Sequence, residues 1–273
     1  MVPGPSEKLK ERMSRVRYKV AVMSGKGGVG KTTVSVNLAQ ALAESGARVG
    51  VLDVDIHGPN VPKMFGIDGQ RFDNSGRAED GSADISPIQV SPNLVVASVG
   101  LVGYGEHSAL VWRGPMKLGI IKQFLEDVNW GDLDYLIIDT PPGTGDEVMS
   151  VCQFLPDLDG VVVVTTPQAV AIQDARRTVD FVEKMKVPLI GLVENMRDAD
   201  GMPTMFGSGG GEQAASGLGV PFIGAIPLDS RVVQAGDSGN PPAAADPHDG
   251  AGAAMHVVAN AVRIAMIASG SGM

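Results

Sequence analysis

Apolar and polar positions along the chain fall into two alternating patterns. Short runs dominated by Val, Ile and Leu predict buried strands over residues 19–23, 48–52, 135–138, 160–165, 189–193 and 221–226. Several of these runs are continuously apolar, as in strands covered on both faces; a half-exposed strand would alternate instead. Between them, apolar residues recurring at three- and four-residue intervals predict helices over 31–45, 116–128, 147–155, 169–185, 211–218 and 255–268. In the helix over 169–185, Ile172, Ala175, Val179, Val182 and Met185 line one face. Strand and helix in alternation predict an α/β fold: a doubly wound, mostly parallel β-sheet with helices on both faces. Two stretches break the order. Residues 72–86, rich in Asp, Gly and Ser, read as an exposed loop before a short strand pair at 88–90 and 94–98. Residues 236–250, with Pro241, Pro242 and Pro247, read as a second irregular connection. Residues 1–18 read as an N-terminal extension and 19–273 as a single domain.

Composition then removes several function classes. The 273 residues are 44% hydrophobic, enough for a sizeable core, which excludes wholesale disorder. Against 22 Lys+Arg stand 31 Asp+Glu, and the net charge of −9 counts against nonspecific nucleic-acid binding. The basic N-terminus (Lys8, Lys10, Arg12, Arg15, Arg17) has no apolar stretch behind it and is not a secretory signal. No stretch reads as the ~18–20 apolar residues that span a bilayer, since His256, Asn260 and Arg263 interrupt 255–268. The expectation is a cytoplasmic protein with neither membrane nor nucleic acid as partner. Its single cysteine, Cys152, excludes a disulfide framework and any zinc or iron–sulfur site built from this chain's thiolates alone. The four histidines, His57, His107, His248 and His256, show no metal-ligand spacing, and His57 reads as a loop residue. Glycine is in excess, 36 of 273 residues or about 13%, against a usual ~7%.

Part of that glycine has a chemical purpose. Gly25-Lys26-Gly27-Gly28-Val29-Gly30-Lys31-Thr32 fits G-x-x-x-x-G-K-[ST] and lies between a predicted strand and a predicted helix. Successive backbone N–H groups of such a loop wrap phosphates, and the helix N-terminus adds positive potential. Lys31 pairs with the β/γ-phosphates in that reading, and Thr32 places its hydroxyl on Mg²⁺. Lys26 is a further lysine: either a solvated surface residue or a second cation for the transition state, supplied across a dimer. Asp53 and Asp139 end buried strands beside the loop and read as carboxylates supporting Mg²⁺, in part through water. Asp55 is placed to orient or deprotonate an attacking water. Residues 141–145 (Pro-Pro-Gly-Thr-Gly) form a stiff-then-flexible loop suited to sensing a γ-phosphate.

These residues also carry a family resemblance. Gly25 to Thr33 resembles the deviant Walker A of the MinD/ParA-type ATPases of the SIMIBI class, whose signature lysine matches Lys26. Residues 53–62 (DVDIHGPNVP), 112–117 (WRGPMK), 139–146 (DTPPGTGD), and Asn195-Met196 with 206–212 (FGSGGGE) are similar to the Mrp/ApbC subgroup, whose eukaryotic members act in iron–sulfur assembly. The resemblance spans about residues 19–239. It implies a homodimer that binds and slowly hydrolyses ATP with Mg²⁺, with Lys26 acting in trans. It also implies adenine contacts at Asn195, Pro227 and Asp229, and iron–sulfur assembly proteins or client apoproteins as partners. Where cluster-carrying members have Cys-x-x-Cys, residues 197–205 here read Arg-Asp-Ala-Asp-Gly-Met-Pro-Thr-Met. An iron–sulfur cluster is therefore not supported by this chain's own cysteines. Cys152 sits at helical spacing from Val148 and Leu155 and reads as core-facing. A MinD/ParA-like positioning ATPase and a nucleotide-switched adaptor stand as alternatives. Trp112 and Arg113 read either as a packed helix start or as a partner surface.

Overall fold

The computed structural model describes residues 5–72, 84–102, 114–155, 157–199, 204–241 and 248–270. Its strands are β1 (Val16–Ser24), β2 (Val49–Asp53), β3 (Ile88–Ser91), β4 (Leu94–Ser98), β5 (Leu133–Asp139), β6 (Gly160–Thr165), β7 (Leu189–Arg197) and β8 (Phe222–Pro227). They form one sheet in the order β3-β4-β2-β5-β1-β6-β7-β8. Neighbours run parallel except β3 and β4, which are antiparallel. Every residue of β2 and of β6 is buried, so helices and loops cover both faces there, as the unbroken apolar runs predict.

The helices are α1 (Glu7–Ser14), α2 (Lys31–Glu44), α3 (Val61–Met64), α4 (Gly114–Asp127), α5 (Asp146–Phe154), α6 (Ala169–Lys184), α7 (Gly210–Leu218), α8 (Ser230–Ser238) and α9 (Gly250–Gly270). Three of them were not expected from the sequence. The charges of α1 mask Leu9 and Met13, four residues apart and both buried, while the Ser6 side chain caps its N-terminus. The four residues of α3 are too short for any periodicity to register. Asp229 starts α8 by accepting from Arg231 N, so the connection expected to be irregular from 236 is helical as far as Ser238. Residues 73–83, Trp112 and Arg113 lie outside the described residues, as does His107.

A correction concerns α9. Residues Gly250–Ser269 are, by length and composition, long and apolar enough to cross a membrane, the one such helix among the described residues. Small residues (Gly, Ala) extend its apolar run past the polar positions that interrupt it. It packs here as a core helix against β8 and α2, burying Ala251, Met255, Val258, Ala259, Val262 and Met266.

Chain order within the sheet locates the crevice. From β1 the chain moves outward to β2 on one side, and from β5 it crosses to β6 on the other. That reversal makes the carboxyl end of β1 the switch point at which open α/β sheets bind ligands.

Candidate functional site

Residues 25–30 link β1 to α2 at that switch point. Gly30 caps α2 with φ +81, a left-handed conformation, and any side chain there would run into Asn195 Nδ2. Asn195 Nδ2 donates to Val29 O at 2.9 Å, so the end of β7 holds the loop in place. On the other side, Ser24 Oγ donates to Lys26 O at 3.0 Å, and Gly143 N donates to Ser24 O at 2.7 Å. The 141–145 loop is thereby tied back to the strand that carries the phosphate loop.

Behind the loop, three donors converge on one carboxylate. Lys31 Nζ lies 2.7 Å from Asp139 Oδ1, and Ser35 Oγ donates to the same oxygen at 2.6 Å. Thr32 Oγ1 donates to Asp139 Oδ2 at 2.8 Å. Asp139 and Asp53 are directly paired in the register of β5 and β2. Asp53 is fully buried, accepting from Ser98 Oγ at 2.8 Å and Asp55 N at 3.1 Å. Burial, and then the nearby charge of Asp139, push the Asp53 carboxyl up to about 8. Asp55 accepts from His57 N and Gly58 N, and burial raises its carboxyl above the usual range. His57 itself turns outward to Glu147 at 3.4 Å and does not line the cavity.

One cavity of about 470 Å³ joins most of these groups. Its wall includes Lys26, Gly27, Gly28, Gly30, Lys31, Thr32 and Thr33 from the loop and α2, Asp55 from beyond β2, and Asn195, Pro227 and Asp229 from the ends of β7 and β8. Gly25, Val29, Asp53 and Asp139 are not among its lining residues, and both carboxylates are fully buried. Among the described residues no carboxylate pairs with Lys26. The Arg231 guanidinium holds the Asp229 carboxyl below the usual range. The oxygen set of Thr32 and Asp139 suits Mg²⁺, which takes one or two protein oxygens and keeps its waters.

Sequence reasoning missed four side chains here. Ser35 lies one helical turn from Lys31, a spacing that could have shown it. Ser98 is visible only through its register pairing with Asp53. Glu194, fully buried, accepts from Gly209 N at 2.9 Å and Gly211 N at 2.5 Å and so caps the N-terminus of α7. Asp198 gathers the N–H groups of Met205, Phe206 and Gly207, closing the loop that stands in place of Cys-x-x-Cys. Residues 200–203 of that loop lie outside the described residues.

Cys152 is half-buried on α5, against the core, and burial pushes its thiol up to about 11. At pH 8 only about one molecule in a thousand then carries the reactive thiolate. Alkylation by iodoacetamide at pH 8 is expected to run about a hundredfold slower in the native protein than in urea. Equal rates, followed by mass spectrometry, would contradict a core-packed thiol.

Comparison with known proteins identifies the family and the fold. The family model described as ParA, NUBPL iron-transfer P-loop NTPase, matches residues 15–263. A protein of Methanocaldococcus jannaschii named iron-sulfur cluster carrier protein is 46% identical over 239 residues, covering 86% of this chain and 80% of its own length. A nucleotide-binding protein of Archaeoglobus fulgidus, solved in complex with ADP, superposes with a TM-score of 0.69 at 34% identity, covering 85% of this chain and 90% of its own. The cell division ATPase MinD of Pyrococcus furiosus shares the fold, with a TM-score of 0.68 at 24% identity over 91% of this chain and 99% of its own. A strand-to-helix phosphate loop at the switch point, with a family match running almost end to end, places this chain in the ParA family of NUBPL-type iron-transfer P-loop NTPases.

Proposed function

We propose that the chain binds ATP with Mg²⁺, hydrolyses it slowly as a homodimer, and serves iron–sulfur cluster assembly or transfer. The observation that carries the nucleotide reading is the convergence of the phosphate loop, Asp55 and the Asn195–Pro227–Asp229 edge on one cavity. In this reading the N–H groups of Gly27, Gly28 and Gly30 receive the phosphates, and Lys31 turns from Asp139 toward their β/γ oxygens. Thr32 through its hydroxyl and Asp139, with Asp53 paired beside it, would hold Mg²⁺, in part through water, and the ion would supply charge neutralisation at those oxygens. Asp55 orients or deprotonates the attacking water. Lys26, with no carboxylate partner of its own among the described residues, reaches the nucleotide of the second copy. Asn195 offers a donor and an acceptor to the purine edge once its amide leaves Val29 O.

Cluster chemistry enters through the relatives, and here the chain sets a limit. Two copies contribute two thiols, both Cys152 and both packed against the core, where a bridging cluster calls for four thiolates. A cargo cluster would take its ligands from a partner protein or a small thiol. Partners of the stated chemistry are client apoproteins or assembly proteins, and the site of action is cytoplasmic.

A single experiment tests both halves. The purified protein is reconstituted anaerobically with iron and sulfide, with and without Mg·ATP and a small thiol, and bound iron, sulfide and nucleotide are counted. The expected result is bound nucleotide on each chain, with stoichiometric iron only when the thiol or a partner is present. Absence of bound nucleotide overturns the ATP reading. Four irons per two chains without added thiol overturns the limit set by the cysteines.

A further inference from the structure

The cavity has a wall for which the phosphate loop and the β8 edge do not account. Asn60, Lys63 and Met64 line it from the start and body of α3, and Val232, Val233 and Gly236 line it from α8. These helices continue from opposite ends of the site. The chain enters α3 directly from the Asp53–Asp55 segment, and α8 directly from Pro227–Asp229.

They meet through glycine. A Cβ on Gly236 would lie 3.4 Å from Met64 Cε, so a larger residue there would push the Met64 side chain aside. Just beyond, Gly66 follows α3 with φ +66 and Gly239 caps α8 with φ +74. Their backbones touch: a Cβ on Gly239 would stand 2.5 Å from Gly66 Cα and 2.7 Å from Gly66 N. No other residue type permits that approach in that conformation. The α3 side is firmly seated, with Val61, Phe65 and Ile67 buried. On the α8 side Val233 lines the cavity yet is 62% exposed, apolar surface that a planar ring laid across it would cover.

We infer that α3 and α8, fastened by Gly66 against Gly239, form a clasp across the nucleotide cavity, in which Met64 from one side and Val232 and Val233 from the other contact and retain the purine base. The inference rests on the ATP reading and names residues of that same site. Because the clasp must open for the base to leave, its residues act on the dissociation rate more than on the association rate.

The test is stopped-flow release of a ribose-labelled fluorescent ADP, with association measured in parallel. Met64→Ala and Gly239→Ala are expected to release the nucleotide about tenfold faster, with association within about twofold of wild type. Met64→Leu, which conserves volume, is expected to restore retention. Gly46→Ala is the control: it carries comparable backbone strain at φ +92 but has nothing within 4 Å to collide with. Wild-type release by Met64→Ala overturns the clasp. Should Gly239→Ala not fold, the Met64→Ala and Met64→Leu pair decides alone. A wild-type protein that retains no ADP overturns the nucleotide reading itself, and the two failures are thus told apart.

Discussion

Replacing Lys31 with alanine is expected to lower ATP turnover by about 10²–10³-fold, the loss usual for one preorganised charge aimed at the transition state. Lys31 is 6% exposed and its ammonium sits 2.7 Å from Asp139, itself 1% exposed. The two neutralise each other, so alanine has two consequences. Phosphates lose their cation, and Asp139 is left as a buried charge with only the hydroxyls of Thr32 and Ser35 to hold it. Removing one partner of a buried pair costs about 3–5 kcal/mol. The variant's melting temperature is therefore expected to fall along with its activity. Lys31→Ala/Asp139→Asn isolates the stability effect, since it removes the orphaned charge while activity stays lost for want of both the lysine and the Mg²⁺ carboxylate. Recovery of the melting temperature with activity still absent is the expected pattern. Turnover in Lys31→Ala equal to wild type would refute the placement of the site.

The second large effect concerns packing. Gly25 stands where a Cβ would collide with the backbone carbonyl of Asp174, in the interior of α6. Backbone cannot rotate away as a side-chain tip can, so Gly25→Ala forces either the phosphate loop or α6 to shift. Overpacking of this kind costs about 1–3 kcal/mol. In a protein of this size each kcal/mol moves the midpoint by roughly 2–4 °C. A fall of roughly 2–12 °C by differential scanning fluorimetry is expected, together with nucleotide binding weakened to the extent that the loop shifts. A melt within about a degree of wild type would show that the close approach is not a constraint.

Much of this was legible in the residues. Continuous apolar runs located the strands, since a parallel strand covered on both faces has no polar positions to break its pattern. The gathering of the phosphate loop, Asp53, Asp55 and Asp139 at one crevice was legible because each ends or follows a buried strand. What escaped detection depends on contacts between distant segments. Ser98 matters only because β4 lies beside β2, and Glu194 only because the glycines of 209–211 arrive beneath it. The three unexpected helices failed for local reasons: α1 is dense in charge, α3 is a single turn, and α8 is a nine-residue helix whose end, from Gly236, runs into the stretch read as irregular.

The order of strands bears, finally, on how the molecule opens. β1 and β5 lie inside the sheet with hydrogen-bonded neighbours on both sides, whereas β8 is an edge. In native-state hydrogen exchange, opening free energies rise from edges toward central strands. In the proposed reading the phosphates sit on the last part of the protein to unfold locally, and the base on one of the first. That reading implies nucleotide exchange from the base end, through partial opening at β8 and α8, while the phosphate loop keeps its shape for the next occupant.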